Sequence, residues 1–359
     1  MSKNSKILFI GHSYHKKTSS NFFFIEFLRQ FFDVEIHYDD SWKNGPQVNK
    51  EIFFKEKYHC IIFYQIPPYS FVLKNNNIKK IIFIVMYDGL NFKGIVKNFH
   101  NFFNKIIFIN FSKKFHDKLL KFGLNTYYFQ YFPAPEKKQF GDLKELFFWQ
   151  RRSIINLSLI DKLFANYSIK IHHHLALDPF EKSSNPSIEQ IAKYQLTTSN
   201  WFENRTQFLE AIANKAFFIA PRLQEGIGMS FLEAMAMGKI IIANNDATMN
   251  EYIEDGVNGF LFDYKNPQPI DFKNLEQIQE NSYQTVVKGY EKWQNEKKII
   301  IKIINDQLPK IQLNLYQSIQ GLILRKSCFL YFKILKILKN ILCIIVVNKK
   351  LKNKIRKKT

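Results

Sequence analysis

The chain has 359 residues, of which 46% are hydrophobic and 37 are Phe, and its formal net charge is +21. This length is enough for two domains with separate cores, and the apolar content argues against a disordered chain. Cys60, Cys328 and Cys343 have neither metal-ligand nor disulfide spacing, and the run Ile7–Ile10 is too short for a signal-peptide core. Composition therefore favours a globular protein of the cytoplasm.

The first part of the chain repeats one pattern, a short apolar run followed by a polar or helical segment. This alternation predicts a parallel sheet covered by helices, a Rossmann-like domain, which we assign to residues 1–135. The proline-bearing segment 132–138 is the predicted linker to the next domain. The predicted strands are Lys6–Gly11, Val34–Tyr38, Cys60–Tyr64, Lys80–Val85 and Lys105–Ile109.

Polar residues follow two of these strands. His12 and His15 lie in the loop after the first strand, and Asp88 follows the strand that ends at Val85. Ligands of open parallel sheets gather at the carboxyl ends of the strands, so these three side chains are candidate catalytic residues. The alternative interpretation is that the histidines are ordinary surface residues and that Asp88 is a turn residue.

A second Rossmann-like domain is predicted for residues 136–290, beginning with a strand over Leu146–Trp149. Three consecutive histidines, His172 to His174, stand in a later strand. Neighbouring side chains of a strand point to opposite faces, so the three rings cannot all bind one metal ion. The chain also has no Asp-x-Asp sequence. We therefore expect no metal site.

The densest group of glycine and acidic residues lies in the segment Ala220–Asp263. An apolar run of strand length precedes it. Ser230 and Glu233 then have the spacing of a capping box, which predicts a helix that starts near Phe231. Gly238 is placed to end that helix after about two turns. The predicted order is therefore strand, loop, short helix, strand.

Three kinds of group coincide at the start of this predicted helix. Free main-chain N–H groups at a helix start attract phosphate, and glycines let a ligand approach the main chain. Carboxylates accept hydrogen bonds from sugar hydroxyls, so the combination indicates a nucleotide sugar. The N–H groups are those of Gly228, Met229 and Ser230, the glycines are Gly226 and Gly228, and the carboxylates are Glu225 and Glu233.

The stretch EGIGMSFLEAMAMG, in which seven residues separate Glu225 from Glu233, resembles the E-x7-E signature of retaining GT-B glycosyltransferases of the large family-4 group. Glu251 and residues 255–259 stand at the distance of a further part of that signature. The resemblance implies two Rossmann-like domains that face each other across a cleft. It assigns contact with the donor sugar to Glu225, the ribose to Glu233, and the diphosphate to the main chain of residues 228–230.

Further site residues follow from the same resemblance. In the family, an arginine after the first strand of the second domain neutralises the diphosphate, which implies Arg151 or Arg152; the lysine expected shortly afterwards is missing. By position, the nucleotide base would lie near Thr198. Glu251 also has a local alternative role, because Thr248-x-x-Glu251 has capping-box spacing.

Positive charge is concentrated at the C-terminal end, where thirteen Lys or Arg and no Asp or Glu follow residue 306. Residues 291–326 are predicted to form helices that cross back to the first domain, and residues 327–359 a basic amphipathic tail. The apolar residues between its lysines favour an anionic membrane surface over nucleic acid, and the run 341–347 is too short to span a bilayer. The alternative is a helix packed on the body.

These observations predict an enzyme that moves a sugar from a UDP-, GDP- or ADP-sugar to a hydroxyl acceptor, with retention of configuration implied by the resemblance. The expected acceptor is a glycan or a lipid-linked saccharide, at the inner face of the membrane, as in polysaccharide or lipopolysaccharide synthesis. We expect neither a metal nor another cofactor. Two alternatives stay open: a GT-B protein that binds nucleotide sugar or glycan without catalysis, and a basic protein of membrane surfaces or nucleic acid.

Overall fold

Each half of the chain forms one parallel sheet of six strands, with helices between most successive strands. The computed structural model describes residues 5–89, 94–95, 99, 102–182, 185–307, 320–327, 330 and 334. The two sheets confirm the predicted pair of Rossmann-like domains.

The first sheet has the strand order β2-β1-β3-β4-β5-β6, and it contains all five predicted strands. Its strands are almost continuously apolar because both faces are covered: Ile7 and Phe9 of β1 belong to one apolar cluster, and Leu8 and Ile10 to another. The elements are β1 (Lys6–Gly11), α1 (Tyr14–Thr18), α2 (Phe22–Arg29), β2 (Asp33–Tyr38), α3 (Ile52–Lys55), β3 (Cys60–Tyr64), α4 (Ser70–Lys74), β4 (Ile81–Val85), β5 (Ile106–Asn110), α5 (Lys113–Lys121) and β6 (Thr126–Tyr128).

The second sheet has the order β12-β11-β10-β7-β8-β9. The chain moves outward from β7 in one direction and from β10 in the other, so the sheet has its topological switch point between these two strands, where open parallel sheets bind ligands. The elements are β7 (Asp142–Gln150), α6 (Leu157–Leu163), β8 (Lys170–Leu175), α7 (Ile188–Tyr194), β9 (Thr197–Ser199), α8 (Arg205–Ala213), β10 (Lys215–Ile219), α9 (Met229–Met235), β11 (Ile240–Asn244), β12 (Gly259–Phe262) and α10 (Leu275–Ile304).

The helix α10, which has 30 residues, runs from the second domain to the first. Near its start, the Ser282 hydroxyl donates to the main chain just before β11 at 2.8 Å. Further along, the ring of Trp293 lies 6.0 Å from that of Phe23. At its end, the Ile304 carbonyl accepts a hydrogen bond from His59 Nε2 at 3.0 Å. One helix thus contacts both domains.

Residues 320–327 are helical and return to the first domain, where Arg325 Nη1 donates to the carbonyls of Phe122 at 2.6 Å and Gly123 at 3.0 Å. The predicted amphipathic tail, residues 327–359, lies almost wholly outside the described residues. Within the part of the chain that the structure describes, no helix combines the length and the hydropathy needed to cross a membrane.

Candidate active site

A cavity of about 630 Å³ lies between the domains, where the carboxyl ends of the two sets of strands face each other. This edge is where open parallel sheets bind their ligands. Eleven of the twelve predicted site residues line the cavity, and Thr198 does not. The first domain contributes His12, His15 and Asp88, and the second contributes Arg151, Arg152, Glu225, Gly226, Gly228, Met229, Ser230 and Glu233.

Glu225 lies in the loop between β10 and α9, and it is only 6% exposed. The Thr248 hydroxyl holds this loop by donating to the main-chain oxygens of Glu225 and Gly226. Burial raises the pKa of the Glu225 carboxyl to about 7, although the positive charge of Arg222 acts in the opposite direction. A buried carboxyl group with such a pKa that lines a cleft is a candidate for direct contact with substrate.

The helix α9 begins at Met229, two residues before the predicted start, and its N-cap is Gly228 with φ of +84°. That left-handed conformation is one that favours glycine. The predicted capping box is wrong, because Ser230 lies inside the helix and Glu233 pairs with Arg205 instead, at 2.6 Å between Oε1 and Nε. The first N–H groups of a helix have no partner within it, and here they lie at the cavity.

The two glycines of this loop provide room for other parts of the protein. A Cβ atom on Gly226 would lie 2.8 Å from Met86 Cβ and 2.9 Å from Asp88 Oδ1, both in the first domain. A Cβ atom on Gly228 would overlap the Phe231 ring at 1.9 Å. The prediction explained both glycines by the approach of a ligand. In the structure, Gly226 permits the close approach of the two domains.

A network of ion pairs lies beside Glu225, centred on the buried carboxylate of Asp178. Its Oδ1 accepts from Arg151 Nη2 at 2.6 Å and Nε at 3.0 Å, and its Oδ2 accepts from Arg152 Nε at 3.1 Å. Arg222 joins the domains, since its Nη2 lies 2.5 Å from Asp178 Oδ2 and its Nη1 2.5 Å from Asp88 Oδ2. Although burial acts in the opposite direction, the charges of Arg151 and Arg222 hold the pKa of Asp178 below its usual value.

Sequence analysis did not single out Asp178 or Arg222 as site residues. Both follow strands at their carboxyl ends, Asp178 after β8 and Arg222 after β10. Applying the rule of the carboxyl edge to every strand of the second sheet would have found them. Their role could not be found from a local pattern, because 44 residues separate the two partners of this ion pair.

The first domain contributes two stacked histidines to the cavity that Glu225 also lines. The rings of His12 and His15 lie 3.7 Å apart, and His15, 2% exposed, is behind His12. Burial lowers the pKa of His12, and it lowers that of His15 to about 2, so both rings are neutral near pH 7. His12 Nε2 lies 2.8 Å from Gln65 Oε1 and donates to it, which leaves Nδ1 as an acceptor without a partner among the described residues. Gln65 has φ of +62°, a left-handed conformation that is uncommon outside glycine.

Aromatic side chains connect the two walls of the cavity. The ring of Tyr14 lies 6.3 Å from Trp42, which is 44% exposed, and 6.3 Å from Trp201 across the cleft. Trp201 in turn lies 5.9 Å from Trp149 of β7. Trp42, Tyr14, Trp201 and Trp149 all line the cavity, and we call these four residues the aromatic belt. Sequence analysis did not identify it, since its members are far apart in the chain.

Thr198 is exposed in the edge strand β9, and its position relative to β8 explains why it is not in the cavity. The hydroxyl of the neighbouring Ser199 forms hydrogen bonds with His172 and His174, so the Ser199 side chain lies on the same face of the sheet as these two rings. Successive side chains of a strand alternate between faces, so the Thr198 side chain points to the opposite face. His173 faces away from these two rings, as the strand interpretation predicted, and its Nε2 lies 2.8 Å from Gln150 Oε1. At this end of the cavity the lining residues are His174 and Phe202, stacked at 4.2 Å.

Glu251 lies outside this cavity and connects the domains at another point. Its Oε2 accepts from Lys113 N at 2.7 Å, and its Oε1 accepts from Ser112 Oγ at 3.0 Å and Lys114 N at 3.1 Å. The carboxylate thus satisfies the first N–H groups of α5 in the first domain. The second predicted capping box is also wrong, because Thr248 bonds to the Glu225 loop and Glu251 to the other domain.

Among the residues that the structure describes, no group of three His, Cys, Asp or Glu side chains is placed to hold a metal ion. The cationic side chains that line the cavity are Lys16 and Lys17 of the first domain and Arg151, Arg152, Arg205 and Arg222 of the second.

Comparison with known proteins gives a family match for part of the second domain and similar folds for most of the chain. Residues 181–293 match the family described as glycosyl transferases group 1. An uncharacterised glycosyltransferase of Methanocaldococcus jannaschii is 38% identical over 63 residues, which are 18% of this chain and 18% of that protein's length. The match therefore spans less than a fifth of this curated relative.

Two solved structures share the fold over nearly their whole length. HepE of Anabaena, in complex with UDP, has 15% identity and a TM-score of 0.57, with 82% of this chain and 99% of that chain covered. A glycosyltransferase from Rickettsia africae has 13% identity and a TM-score of 0.55, with 85% and 99% covered. At these identities the similarity is one of fold.

Proposed function

Since the chain is a GT-B protein of the glycosyl transferases group 1 type, we propose that it is an enzyme that transfers a sugar from a nucleotide-sugar donor to a hydroxyl acceptor. The observation that carries this proposal is the position of Glu225. Its carboxyl group is buried and lines the interdomain cavity, together with the start of α9, the arginine network and the neutral His12.

The donor lies against the second domain in this proposal. Arg151 and Arg152 and the first N–H groups of α9 stabilise its diphosphate. Glu233 accepts from Arg205 through Oε1, and its Oε2 accepts from the ribose hydroxyls. The base lies near the stacked rings of His174 and Phe202 rather than at Thr198. UDP is the first nucleotide to test, because the fold neighbour HepE was solved with it.

The chemistry is the exchange of one glycosidic bond for another. The bond from the anomeric carbon to the diphosphate oxygen breaks, and its electron pair leaves with the nucleoside diphosphate. The acceptor oxygen forms the new bond and gives its proton to the departing diphosphate oxygen, with retention of configuration. Arginine charges stabilise the leaving group, and Glu225 and His12 Nδ1 orient sugar hydroxyls, so that the reacting atoms are held in place. No metal or other cofactor is needed for this.

The acceptor lies against the first domain. The exposed Trp42 and the neighbouring Tyr14 offer ring faces to the apolar side of a sugar, which favours a glycan or a lipid-linked saccharide. The predicted tail, residues 327–359, carries the enzyme to the anionic inner face of the membrane from the cytoplasm.

The experiment is a panel of UDP-, GDP- and ADP-sugars, each incubated with the purified full-length protein while release of the nucleoside diphosphate and thermal stability are both measured. A ligand at about 100 times its dissociation constant stabilises the folded state by about 2.7 kcal/mol, which raises the midpoint of unfolding. We expect one nucleotide class to raise it and the matching sugar to be turned over when saccharide acceptors are added.

Stabilisation without release, across all donors and a range of saccharide acceptors, would instead identify a binding protein. If no nucleotide stabilises the protein and anionic vesicles still bind it, the transferase proposal is wrong and the membrane-surface alternative replaces it.

A further inference from the structure

We propose that Arg222 binds the diphosphate of the donor together with Arg151. When no donor is present, Arg222 instead forms an ion pair with Asp88 of the first domain. This inference rests on the proposed function and assigns a new residue to the donor site. Arg222 lines the cavity between Glu225 and the ion-pair network.

The spacing of the two guanidinium groups carries the first step. Arg151 donates to Oδ1 of Asp178 and Arg222 to Oδ2 of the same carboxylate, at 2.6 Å and 2.5 Å. The two cations are therefore separated by a single carboxylate group. A diphosphate presents two adjacent anionic groups, so each can meet one guanidinium while Asp178 holds the pair in position.

Arg222 is largely buried, and one of its donor groups has no acceptor among the described residues. Its side chain is only 18% exposed, and Nε is buried without a partner among the described residues. A buried donor group without an acceptor costs free energy, and an anion that enters the cavity supplies acceptors. Arg222 therefore has unused capacity to donate, although it is already paired with two carboxylates.

Asp88 is the partner that can be exchanged. It belongs to the first domain, whereas Arg222, Arg151 and Asp178 all belong to the second. Opening of the cleft separates Asp88 from Arg222 but leaves the pair with Asp178 intact. A diphosphate then takes the place of Asp88, and departure of the nucleoside diphosphate lets the ion pair between the domains form again. Asp88 is thus a competitor of the phosphate groups.

The competing explanation is that Arg222 only holds the two domains together. The two explanations predict different signs for the change in UDP affinity when Arg222 and Asp88 are replaced in turn. If Arg222 binds diphosphate and Asp88 competes, Arg222→Gln weakens binding of UDP and Asp88→Asn strengthens it. If the ion pair only closes the cleft, both substitutions remove the same bridge and shift the affinity in the same direction.

The test is isothermal titration of UDP and of uridine into the full-length wild type and the variants Arg222→Gln, Arg222→Lys and Asp88→Asn, with unfolding curves to check that each folds. We expect at least tenfold weaker UDP binding for Arg222→Gln, a smaller loss for Arg222→Lys, and tighter binding for Asp88→Asn. Uridine, which has no phosphate, should bind all four proteins within about twofold. Arg29→Gln, on the exposed face of α2, is the matched control.

Unchanged UDP affinity in Arg222→Gln, or shifts of the same sign in Arg222→Gln and Asp88→Asn, would overturn the inference while leaving the proposed function in place. A wild type that binds neither UDP, GDP nor ADP would overturn both. If Arg222→Gln does not fold, Arg222→Lys and Asp88→Asn still give opposite signs under this proposal and equal signs under the other.

Discussion

The two walls of the cavity differ in their chemistry. The wall of the second domain is charged, with Arg151 and Arg222 both donating to the carboxylate of Asp178 beside Glu225. The wall of the first domain includes Lys16, Lys17 and Asp88, but it also has three uncharged rings, the stacked His12 and His15, which burial keeps neutral, and the exposed Trp42; we call these three residues the neutral wall. A charged wall suits a diphosphate, and a neutral wall with aromatic rings and lone pairs suits the hydroxyls and apolar faces of a saccharide.

Removing the Glu225 carboxylate should have the largest effect. We expect Glu225→Gln to lower kcat by about 10²- to 10³-fold, the range for loss of one preorganised hydrogen-bonding group that acts in the transition state, while UDP still binds. Release of nucleoside diphosphate, followed with saturating donor and acceptor, measures this. Glu254→Gln, an exposed carboxylate of the same domain, should behave as wild type. A fully active Glu225→Gln would exclude a role of the Glu225 carboxylate in catalysis.

The raised pKa of Glu225 predicts how the stability of the unliganded protein depends on pH. Its folded-state pKa of about 7 lies above the ordinary 4.5, so between these values the unfolded chain releases a proton that the folded protein retains. The contribution of Glu225 to the free energy of unfolding is therefore fully present below pH 4.5 and is lost as the pH rises through 7. Glutamine does not titrate, so Glu225→Gln should gain stability relative to wild type, by up to about 3 kcal/mol, between pH 5 and pH 8.

Urea unfolding of both proteins at these two pH values measures the difference. The difference isolates Glu225, because the other titrating groups are shared. A stability difference that is the same at both values would show that this carboxyl group is ionised throughout the range.

The neutral wall is tested through His12. We expect His12→Phe, which keeps the stack on His15 and removes the Nδ1 acceptor, to lower kcat/KM by about 10- to 100-fold, the cost of one or two lost hydrogen bonds to substrate. Affinity for UDP should not change. His172→Phe, outside the cavity, is the control. If His12→Phe weakens UDP binding as strongly as it slows transfer, the division of labour between the walls is wrong.

Trp42 should give the smallest effect, and one confined to the acceptor. An aromatic contact contributes about 0.5 to 1.5 kcal/mol, so Trp42→Ala should raise the KM for a saccharide acceptor by about 2- to 10-fold, and Trp42→Phe by less. The KM for the donor should stay constant. Phe22→Ala removes a ring of similar exposure on the same domain, outside the cavity, and should have no effect. An unchanged acceptor KM in Trp42→Ala would exclude stacking on this ring.

The strands were predictable, whereas the caps were not, and the reason is physical. Strands such as Cys60–Tyr64 are buried on both faces, so their apolar runs are visible without knowledge of their neighbours. Capping boxes depend on a glutamate that returns to its own helix start. Glu233 instead accepts a hydrogen bond from Arg205, and Glu251 accepts from the main chain at the start of α5. The fold brings these charged or unpaired partners close, and they compete with the local contact that a capping box needs.

The sequence by itself determined the two parallel sheets and the residues that a dense motif places together, Glu225 and Glu233 with the start of α9. Those features depend on local apolar patterning and on a few consecutive residues. The tertiary structure alone decided that Arg222 joins Asp88 to Asp178, that His15 supports His12, and that Gly226 makes room for the first domain. The Arg222 and Gly226 contacts join groups of different domains, which only closure of one domain on the other places within reach. The stack of His15 on His12 depends on the turn in which His15 N donates to the His12 carbonyl at 3.1 Å.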